Sequence, residues 1–348
     1  MQQPCFSIII PVYNVGKYIQ RAYNSIQKKS LMQIEIIFVN DNSSDDSLKI
    51  IEGLSKNDSR IRIVNRNQTD VHGAGISRNI GFRESKGKYI YFMDGDDYLD
   101  DNALPLLENK LEEINPDILI FGFRSLSGVD NRVTYSSSQS PNSDFININE
   151  EERVNIITDT YFNNSLYVVW NKIYSRDFLV RNNIEFPNTR TAQDAFFNLI
   201  ALSKVNKVRI ICNHFYNYVS DRKGSNQNIC KSKFADEQLL INEVENILHA
   251  YKNNMSINKL LMFEKIRILK TEVNFTTAKN PMQPWTALRN KTEFKEMSSG
   301  LSIYQSVLYD KTMKSLFNVL FLKYPSNVNF KIIKYLRILK TVLSVSKK

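Results

Sequence analysis

Carboxylates are concentrated in one short segment, Asp94-Gly95-Asp96-Asp97, which directly follows the apolar run Tyr89–Met93. Three carboxylates within four residues repel one another unless a cation or solvent screens them, and hard oxygen ligands suit Mg²⁺ or Mn²⁺. Gly95 allows the backbone to turn tightly here. An isolated segment of this kind is more often a solvated acidic turn before a helix. Its position after a strongly apolar run favours a metal site.

The first 125 residues alternate between short apolar runs and amphipathic segments, which predicts an α/β fold with a mostly parallel central sheet flanked by helices. Predicted strands are Phe6–Val12, Ile34–Val39, Ile61–Val64, Tyr89–Met93 and Ile118–Phe123, and predicted helices are Lys17–Lys28, Ser47–Leu54, Ile76–Glu84 and Ala103–Ile114. Ligands of such sheets bind beyond the carboxyl ends of the strands. We therefore expect the polar residues after three strands to converge: Tyr13, Asp41 and the acidic segment.

Tyr13 and Asp41 have the chemistry of a pyrimidine site. A carboxylate at a strand end can accept the ring N–H of a pyrimidine, and a tyrosine ring offers a face for base stacking. Taken alone, Tyr13 is more often a packing aromatic and Asp41 a turn or helix-cap residue. The two residue types by themselves leave both interpretations open.

Length and composition predict a globular protein of about two domains. The chain has 348 residues, of which 42% are hydrophobic and 24% charged, and this excludes collagen-like, low-complexity and wholly disordered classes. Apolar runs stay well short of the ~18 residues of a membrane-spanning helix. The first residues lack the features of a secretory signal, and three scattered cysteines form neither a metal spacing nor a disulfide framework. A cytoplasmic location is therefore expected.

The charge is distributed unevenly along the chain. Residues 1–220 have a net charge of −2, whereas residues 221–348 have a net charge of +12. This asymmetry predicts an anionic partner, either a membrane surface or a nucleic acid, with an inert basic helical surface as the alternative. Because residues 221–348 contain no nucleic-acid recognition motif, we expect no nucleic-acid partner.

Beyond residue 124 the pattern changes. Residues 124–150 are Ser/Asn-rich and predict a surface excursion, after which Tyr167–Tyr174 and Val208–Cys212 read as strands and Asp194–Leu202 as a helix. From residue 221 onward the pattern is helical, over Asp236–Tyr251, Ile257–Phe275 and Lys311–Leu322. We therefore predict a first domain over residues 1–220 and a basic, mainly helical domain over residues 221–348.

The last 18 residues, 331–348, place basic residues on one helical face and apolar residues on the other. Such a helix can lie in an anionic membrane interface, which predicts a peripheral position at the inner face of the cell membrane. Packing of the apolar face on the protein itself is the alternative.

Four segments resemble, in order and spacing, the motifs of glycosyltransferase family 2, and together they cover residues 6–105. They are Ser7–Asn14, Val39–Ser47, Gly73–Gly81 and Gly87–Asp97. The resemblance continues more weakly to about residue 226, through Trp170-Asn171-Lys172-Ile173-Tyr174, Gln193-Asp194, Tyr216-x-Tyr218 and Gly224-Ser225. The segment that begins at Trp170 is typical of members that build bacterial surface polysaccharides such as capsule and O-antigen.

The resemblance implies the GT-A fold, a Rossmann-like sheet with a nucleotide-binding half (residues 1–105) and an acceptor-binding half (residues 106–220). It also implies inverting transfer of a hexose or N-acetylhexosamine from a UDP-sugar, with Mn²⁺ or Mg²⁺, to a glycan acceptor. A lipid-linked acceptor would suit the membrane-binding helix. Neither the sugar, the acceptor nor the oligomeric state follows from the motifs.

Site residues follow by position from the resemblance. In the donor site, Tyr13 would stack on uracil, Asp41 would accept its ring N–H, and the remaining donor contacts would be Pro11, Arg78, Asp94, Gly95 and Asp96. Asp96 and Asp94 would hold the metal, and Asp194 would be the general base.

Three further residues are candidates on their chemistry. Trp170 and Lys172 are candidate acceptor-site residues, with a core position for Trp170 and an ion pair for Lys172 as the alternatives. His214 is a candidate extra metal ligand because imidazole binds Mn²⁺, with a structural histidine as the alternative.

The chain departs from the family motifs at four positions. Asn40 and Asn42 replace an Asp and a Gly, and Asn tolerates left-handed turn geometry. Gln193 replaces the usual Glu, so that fewer nearby negative charges should leave the pKa of Asp194 less raised. Val219 replaces an Arg, which places a diphosphate contact there in doubt. Two other interpretations remain, a catalytically degenerate membrane-associated assembly module and a nucleotidyltransferase, although the loop after the first strand is poor in the Gly and Arg that the latter needs.

Overall fold

The computed structural model describes residues 4–27, 34–66, 73–137, 142–189, 191–220, 233–251, 254–258, 260–265 and 267–268. Contacts divide the chain into two compact units, residues 1–228 and 229–348. The extents of the two predicted domains, 1–220 and 221–348, remain a prediction.

Helices and strands alternate through the first unit. Its strands are β1 (Phe6–Val12), β2 (Ile34–Asn40), β3 (Ile61–Asn65), β4 (Tyr89–Phe92), β5 (Tyr98–Leu99), β6 (Ile118–Ser127), β7 (Val133–Ser137), β8 (Ser143–Ile146), β9 (Lys172–Ser175) and β10 (Lys207–Ser220). Its helices are α1 (Gly16–Gln27), α2 (Ser47–Ser55), α3 (Ala74–Glu84), α4 (Ala103–Ile114), α5 (Glu150–Phe162), α6 (Arg176–Arg181) and α7 (Gln193–Lys204).

These strands form one mixed sheet in the order β3-β2-β1-β4-β9-β6-β10-β5, with β7 paired to β6 and β8 paired to β10. Parallel pairing joins β3, β2, β1 and β4 and also joins β6 to β10. Antiparallel β9 lies between β4 and β6 and connects the two parallel parts. The predicted α/β sheet flanked by helices is confirmed.

The core of the sheet explains why the apolar runs fold as strands. Six of the seven residues of β1 and all seven of β2 are buried, as expected for strands covered by helices on both faces. Helix α1 buries Ile19, Ala22, Tyr23 and Ile26, which recur every three or four residues and so share one helical face. Strands β1, β2 and β4 are therefore interior strands of the sheet. Because they pair in parallel, their carboxyl ends meet at one edge.

Two predictions for the later part of the chain are wrong. Residues 124–150 include more regular structure than a surface excursion, because β6 continues to Ser127 and β7 and β8 add to the sheet. The run Tyr167–Tyr174 is a strand only from Lys172 onward. Its first part is a loop, in which the Val168 carbonyl accepts hydrogen bonds from the buried side chains of Lys172 and Asn198.

The second unit contains helix α8 (Lys233–Leu248) and a short 3-10 helix (His249–Tyr251). The helix predicted over Asp236–Tyr251 is confirmed, and Leu240, Ile241, Val244 and Leu248 form its buried face. Only part of the helix predicted over Ile257–Phe275 is described, and it is helical there. The predicted helices over Lys311–Leu322 and 331–348 lie outside the described residues. Within the described part of the chain, none of the helices is long and apolar enough to cross a membrane.

Candidate active site

The acidic segment forms the connection between β4 and β5, at the carboxyl edge of the sheet. Carboxylate oxygens of Asp94, Asp96 and Asp97 lie within 4.8 Å of one another. Asp97 is fully buried, and its two oxygens accept hydrogen bonds from the Tyr216 hydroxyl at 2.8 Å and the Val219 N–H at 2.9 Å. Asp97 therefore attaches the segment to β10. The bond at residue 219 uses only the main-chain N–H, so it does not depend on the side chain of Val219.

The donor set of the segment fits a hard divalent cation. Asp94 and Asp96 are both partly exposed, and their oxygens are the ligand type that Mg²⁺ and Mn²⁺ prefer. The main-chain carbonyl of Asp96 accepts a hydrogen bond from Arg21 at 2.8 Å, which fixes the turn without using the carboxylate. Gly95 is buried against Ile19, because a Cβ at residue 95 would lie 3.0 Å from Ile19 Cδ1. Asp94 and Asp96 are therefore the residues of this segment that could hold a metal ion.

Arg78 connects two carboxylates that are far apart in sequence. One guanidinium nitrogen lies 2.7 Å from Asp94 Oδ1 and another lies 2.7 Å from Asp194 Oδ1. The Arg78 side chain is almost completely buried, and its charged group lies 5.4 Å from the centre of the Phe186 ring. Arg78 comes from α3, Asp94 from the β4–β5 connection and Asp194 from α7. Three separate elements therefore converge on one buried positive charge.

Asp194 lies in the first turn of α7 but does not cap it. The N-cap is Ala192, a non-glycine residue with a left-handed backbone (φ 60°), and the helix lacks a side-chain cap hydrogen bond. The Asp194 carboxylate points to Arg78, and one fifth of its side chain is exposed. Burial raises the pKa of Asp194, whereas Arg78 and the Val169 N–H favour the charged form. A partly exposed carboxylate with a raised pKa has the properties of a general base.

Asp41 is buried at the end of β2, and its carboxylate already has two partners. Arg66 lies 2.7 Å from Oδ1, and the Gly73 N–H donates to Oδ2 at 3.1 Å. Gly73 has a φ of 153°, which a residue with a Cβ rarely adopts. A carboxylate offers about four lone-pair directions, and the Arg66 guanidinium and the Gly73 N–H are among the groups that bond to Asp41.

Tyr13 is the exposed aromatic at this edge. Its side chain follows β1 and is 51% exposed, whereas Pro11 lies inside β1 opposite Val39 of β2. The next residue after Asp41, Asn42, has a left-handed backbone (φ 55°) where the family has glycine. Tyr13 and Asp41 thus lie at adjacent strand ends, since Val12 pairs with Asn40.

Gln193 is a departure from the family motif in the sequence, and in the structure it lies at the candidate site beside Asp194. Its Oε1 accepts the Gly75 N–H at 2.7 Å, at the start of α3, and its Nε2 donates to the carbonyl of Thr189. Only an amide can accept and donate in this way, so a glutamate would lose the second bond. The signal in the sequence is the departure itself, Gln where the motif has Glu.

Trp170 and Lys172 are interior residues, and this corrects their prediction as acceptor-site residues. Trp170 is 3% exposed and stacks on the Tyr216 ring, with ring centres 4.3 Å apart. Lys172 is fully buried, and its amino group donates to oxygens of Ser165, Val168 and Asn171. Neither the ring of Trp170 nor the amino group of Lys172 is available to an acceptor.

His214 lies apart from the acidic segment, so the structure also corrects its prediction as an extra metal ligand. It lines a cavity of about 750 Å³ together with Asp100, Arg124 and Cys212. Burial and Arg124 lower the pKa of His214. The three-carboxylate cluster is the one group of potential metal ligands among the described residues, and it does not include His214.

Comparison with known proteins relates these features to a family. The sequence profile of glycosyl transferase family 2 matches residues 7–179. The chain is 32% identical over 216 residues to the uncharacterized glycosyltransferase EpsJ of Bacillus subtilis, and this covers 62% of the chain and 61% of EpsJ. It is 27% identical over 222 residues to the poly(ribitol-phosphate) β-N-acetylglucosaminyltransferase TarS of Staphylococcus aureus, covering 63% of the chain and 36% of TarS. The aligned region is thus less than two thirds of either relative.

A solved structure supports the same assignment at the level of the fold. The crystal structure of Staphylococcus aureus TarS residues 1–349 in complex with UDP-GlcNAc has a TM-score of 0.61 to this chain, at 20% identity, and covers 91% of this chain and 90% of that one. The predicted GT-A fold is therefore confirmed. With the motif order, the sheet and the profile match in agreement, the chain belongs to glycosyl transferase family 2.

Proposed function

We propose that this protein is a metal-dependent inverting glycosyltransferase that moves a sugar from a UDP-sugar to a hydroxyl of a growing surface glycan. The observation that carries the proposal is the bridge of Arg78 between Asp94 and Asp194, at 2.7 Å to each carboxylate. It brings the acidic segment and a partly exposed base candidate to the same buried charge. An inverting transferase needs these two acidic groups in one cleft.

On the donor side, Tyr13 stacks on the uracil ring and Asp41 accepts its N–H. Both residues lie at adjacent strand ends, and the exposed ring of Tyr13 has room for a base. Asp94 and Asp96 hold Mn²⁺ or Mg²⁺, and the metal, when bound, neutralises the charge that develops on the leaving diphosphate. Pro11, Gly95 and Arg78 shape the rest of the donor site.

On the acceptor side, Asp194 takes the proton of the attacking hydroxyl. Arg78 holds Oδ1 of Asp194 and so orients the carboxylate. Because attack and departure occur on opposite faces of the anomeric carbon, the base and the diphosphate must lie on opposite sides of the sugar. Asp194 on α7 and the acidic segment after β4 are two such separate positions, joined through one arginine.

The relatives favour a hexose or N-acetylhexosamine donor. TarS is named as a poly(ribitol-phosphate) β-N-acetylglucosaminyltransferase, and its structures include complexes with UDP-GlcNAc and with UDP. We extend this to a UDP-sugar donor for this chain. The acceptor would be a glycan, lipid-linked, at the inner face of the cell membrane, where the basic residues of 221–348 contact anionic lipid.

A donor screen tests the proposal. The full chain is incubated with Mn²⁺ and a panel of UDP-sugars, and release of UDP is measured with and without EDTA. Metal-dependent release from one donor is expected. A catalytically degenerate assembly module is the second candidate, and it would bind UDP without releasing it from any sugar in the presence of acceptor glycans. Transfer of a nucleotidyl group with release of diphosphate would contradict both.

A further inference from the structure

The amino group of Lys172 is buried inside the first unit and contacts four neutral oxygens. These are the Ser165 carbonyl at 2.5 Å, the Ser165 hydroxyl at 3.1 Å, the Val168 carbonyl at 2.8 Å and the Asn171 side-chain oxygen at 2.8 Å. Burying an amino group costs free energy unless its hydrogen bonds are made, and burial lowers the pKa of Lys172. All four oxygens belong to residues 165–171, which we call the α5–β9 loop.

Two asparagines complete this polar cluster. Asn171 Nδ2 donates to the Ser165 hydroxyl at 2.6 Å. Asn198, on α7, donates to the carbonyls of Leu166 and Val168 at 2.7 and 2.9 Å. The conformation of the loop is therefore set by side-chain donors, because this part of the chain is not paired as a strand.

The α5–β9 loop is linked to both carboxylate positions of the candidate active site through neighbouring side chains. Asn198, which donates to the Leu166 and Val168 carbonyls of the loop, lies one helical turn after Asp194 on α7. Trp170 stacks on Tyr216, whose hydroxyl accepts the Asp94 N–H at 3.2 Å. A shift of the loop would therefore move the turn of α7 that carries Asp194, whereas Asp94 lies on a different element.

We propose that Lys172 is a positioning residue for Asp194, acting through the α5–β9 loop. Its amino group donates to the Ser165 and Val168 carbonyls, and the loop carbonyls in turn accept from Asn198, one turn after Asp194 on α7. The inference rests on the proposed function in that Asp194 is taken as the base. Misplacement of a reacting group by about 1 Å can cost ~10²-fold in rate, so the hydrogen bonds of one buried amino group are sufficient to matter.

Lys172→Met is the central test because methionine has a similar length and volume and cannot donate a hydrogen bond. We expect a kcat ~10- to 100-fold lower, with the KM for the UDP-sugar and the Kd for UDP within about threefold of the wild type. Lys172→Gln, which keeps two N–H donors on a side chain shorter by one bond, should recover part of kcat. Ser165→Ala removes one of the four oxygens and should give a smaller loss of the same kind.

Ile173→Val is the matched control. Ile173 is the next residue of β9, is fully buried, and pairs with Tyr91 and Leu119, outside the α5–β9 loop. The Ile173→Val substitution opens only a small cavity, so it should lower stability slightly and leave kcat unchanged. Thermal unfolding midpoints of all variants show whether a loss of kcat simply follows a loss of stability.

A second measurement does not depend on turnover. The sequence has two tryptophans, Trp170 and Trp285, so Trp285→Phe leaves Trp170 as the only fluorescent indole. In this background, Lys172→Met should shift the emission to longer wavelength and increase quenching by acrylamide, because the stacking of Trp170 on Tyr216 loosens. Ile173→Val should change neither property.

The outcomes separate this inference from the proposed function. Unchanged kcat in Lys172→Met, an equal loss in Ile173→Val, or a parallel rise in the Kd for UDP would overturn the positioning role. Unchanged Trp170 emission would overturn the part played by the loop. If the wild type released no UDP from any donor, the proposed function would fail, and the fluorescence result would still decide whether Lys172 holds the loop.

Discussion

Arg78 determines how the carboxylates of the candidate site share one pocket. Burial and the negative charge of Asp94 both raise the pKa of Asp194, and the positive charge of Arg78 opposes them. The guanidinium is planar and offers parallel N–H groups, so it can bond both carboxylates at 2.7 Å at the same time. A lysine has a single nitrogen and would not hold the same geometry.

Asp194→Asn tests the base. We expect kcat to fall ~10²- to 10⁴-fold, the usual contribution of a general base, because the amide cannot take a proton. The Kd for UDP should stay within a few-fold, since the donor contacts lie on other elements. Asp159→Asn is the matched control, because burial raises the pKa of Asp159 as well and the residue lies on α5, outside the site. A kcat within a few-fold of wild type in Asp194→Asn would make Asp194 a structural residue.

Asp96→Ala tests the metal ligand. The carbonyl of Asp96, which accepts from Arg21, is kept in this variant, so the turn should stay folded. Titration calorimetry of UDP with and without Mn²⁺ should show a metal-dependent affinity in the wild type that the variant lacks. Asp130→Ala removes a carboxylate from the exposed turn between β6 and β7 and should leave this difference intact. Equal metal dependence in Asp96→Ala and wild type would rule out the assignment.

At the scale of the elements, a hydrogen bond from Tyr23 to Asp58 attaches α1 to the turn between α2 and β3. Asp58 accepts hydrogen bonds from Arg60 at 2.7 and 2.9 Å and from the Tyr23 hydroxyl at 3.0 Å. These bonds lower the pKa of Asp58 to about 2. Helix α1 begins three residues after Tyr13, so this attachment holds the element next to the candidate donor site.

Asp58→Asn should therefore lower stability in a pH-dependent manner. The folded pKa of about 2 lies below the ordinary aspartate value of 3.8, so the stabilisation is complete above pH 5 and is lost as pH falls toward 2. At pH 7 the variant should lose on the order of 1 kcal/mol of unfolding free energy, and this difference should shrink at low pH. Urea unfolding at pH 7 and pH 3 measures it. A difference independent of pH would show that packing, and not the charge of Asp58, matters.

The helices and strands differ in how well the sequence predicts them. Strands β1 to β4 and helix α4 follow from local apolar periodicity, because burial on one or both faces imposes a pattern on neighbouring residues. The run that begins at Tyr167 is equally apolar, yet only its end pairs as a strand. In this run the Val168 carbonyl accepts from Lys172 and Asn198, and a donor 30 residues away leaves no local pattern.

At the scale of the whole molecule, the uneven charge leads to a test of membrane binding. Deletion of residues 331–348 removes six basic residues, each of which contributes ~1 kcal/mol near an anionic surface. Sedimentation with anionic vesicles should show weaker binding by the truncated chain, and the difference should be greater at low salt. Neutral vesicles serve as the control. Equal binding by both chains, or none by the full chain, would contradict a membrane role for this segment.

The sequence by itself determined the fold class, the family and the segment that carries the acidic residues. These features depend on residues close together along the chain, such as Asp94 and Asp96 after an apolar strand. Patterns among neighbouring residues can be recognised in the sequence without the structure. Tertiary structure alone decided that Arg78 joins Asp94 to Asp194, which lies 116 residues after Arg78. It also decided that Lys172 is interior and that His214 lines a cavity apart from the acidic segment. Each of these outcomes depends on which distant elements pack together, and that packing sets the burial and the partners that a residue type alone does not specify.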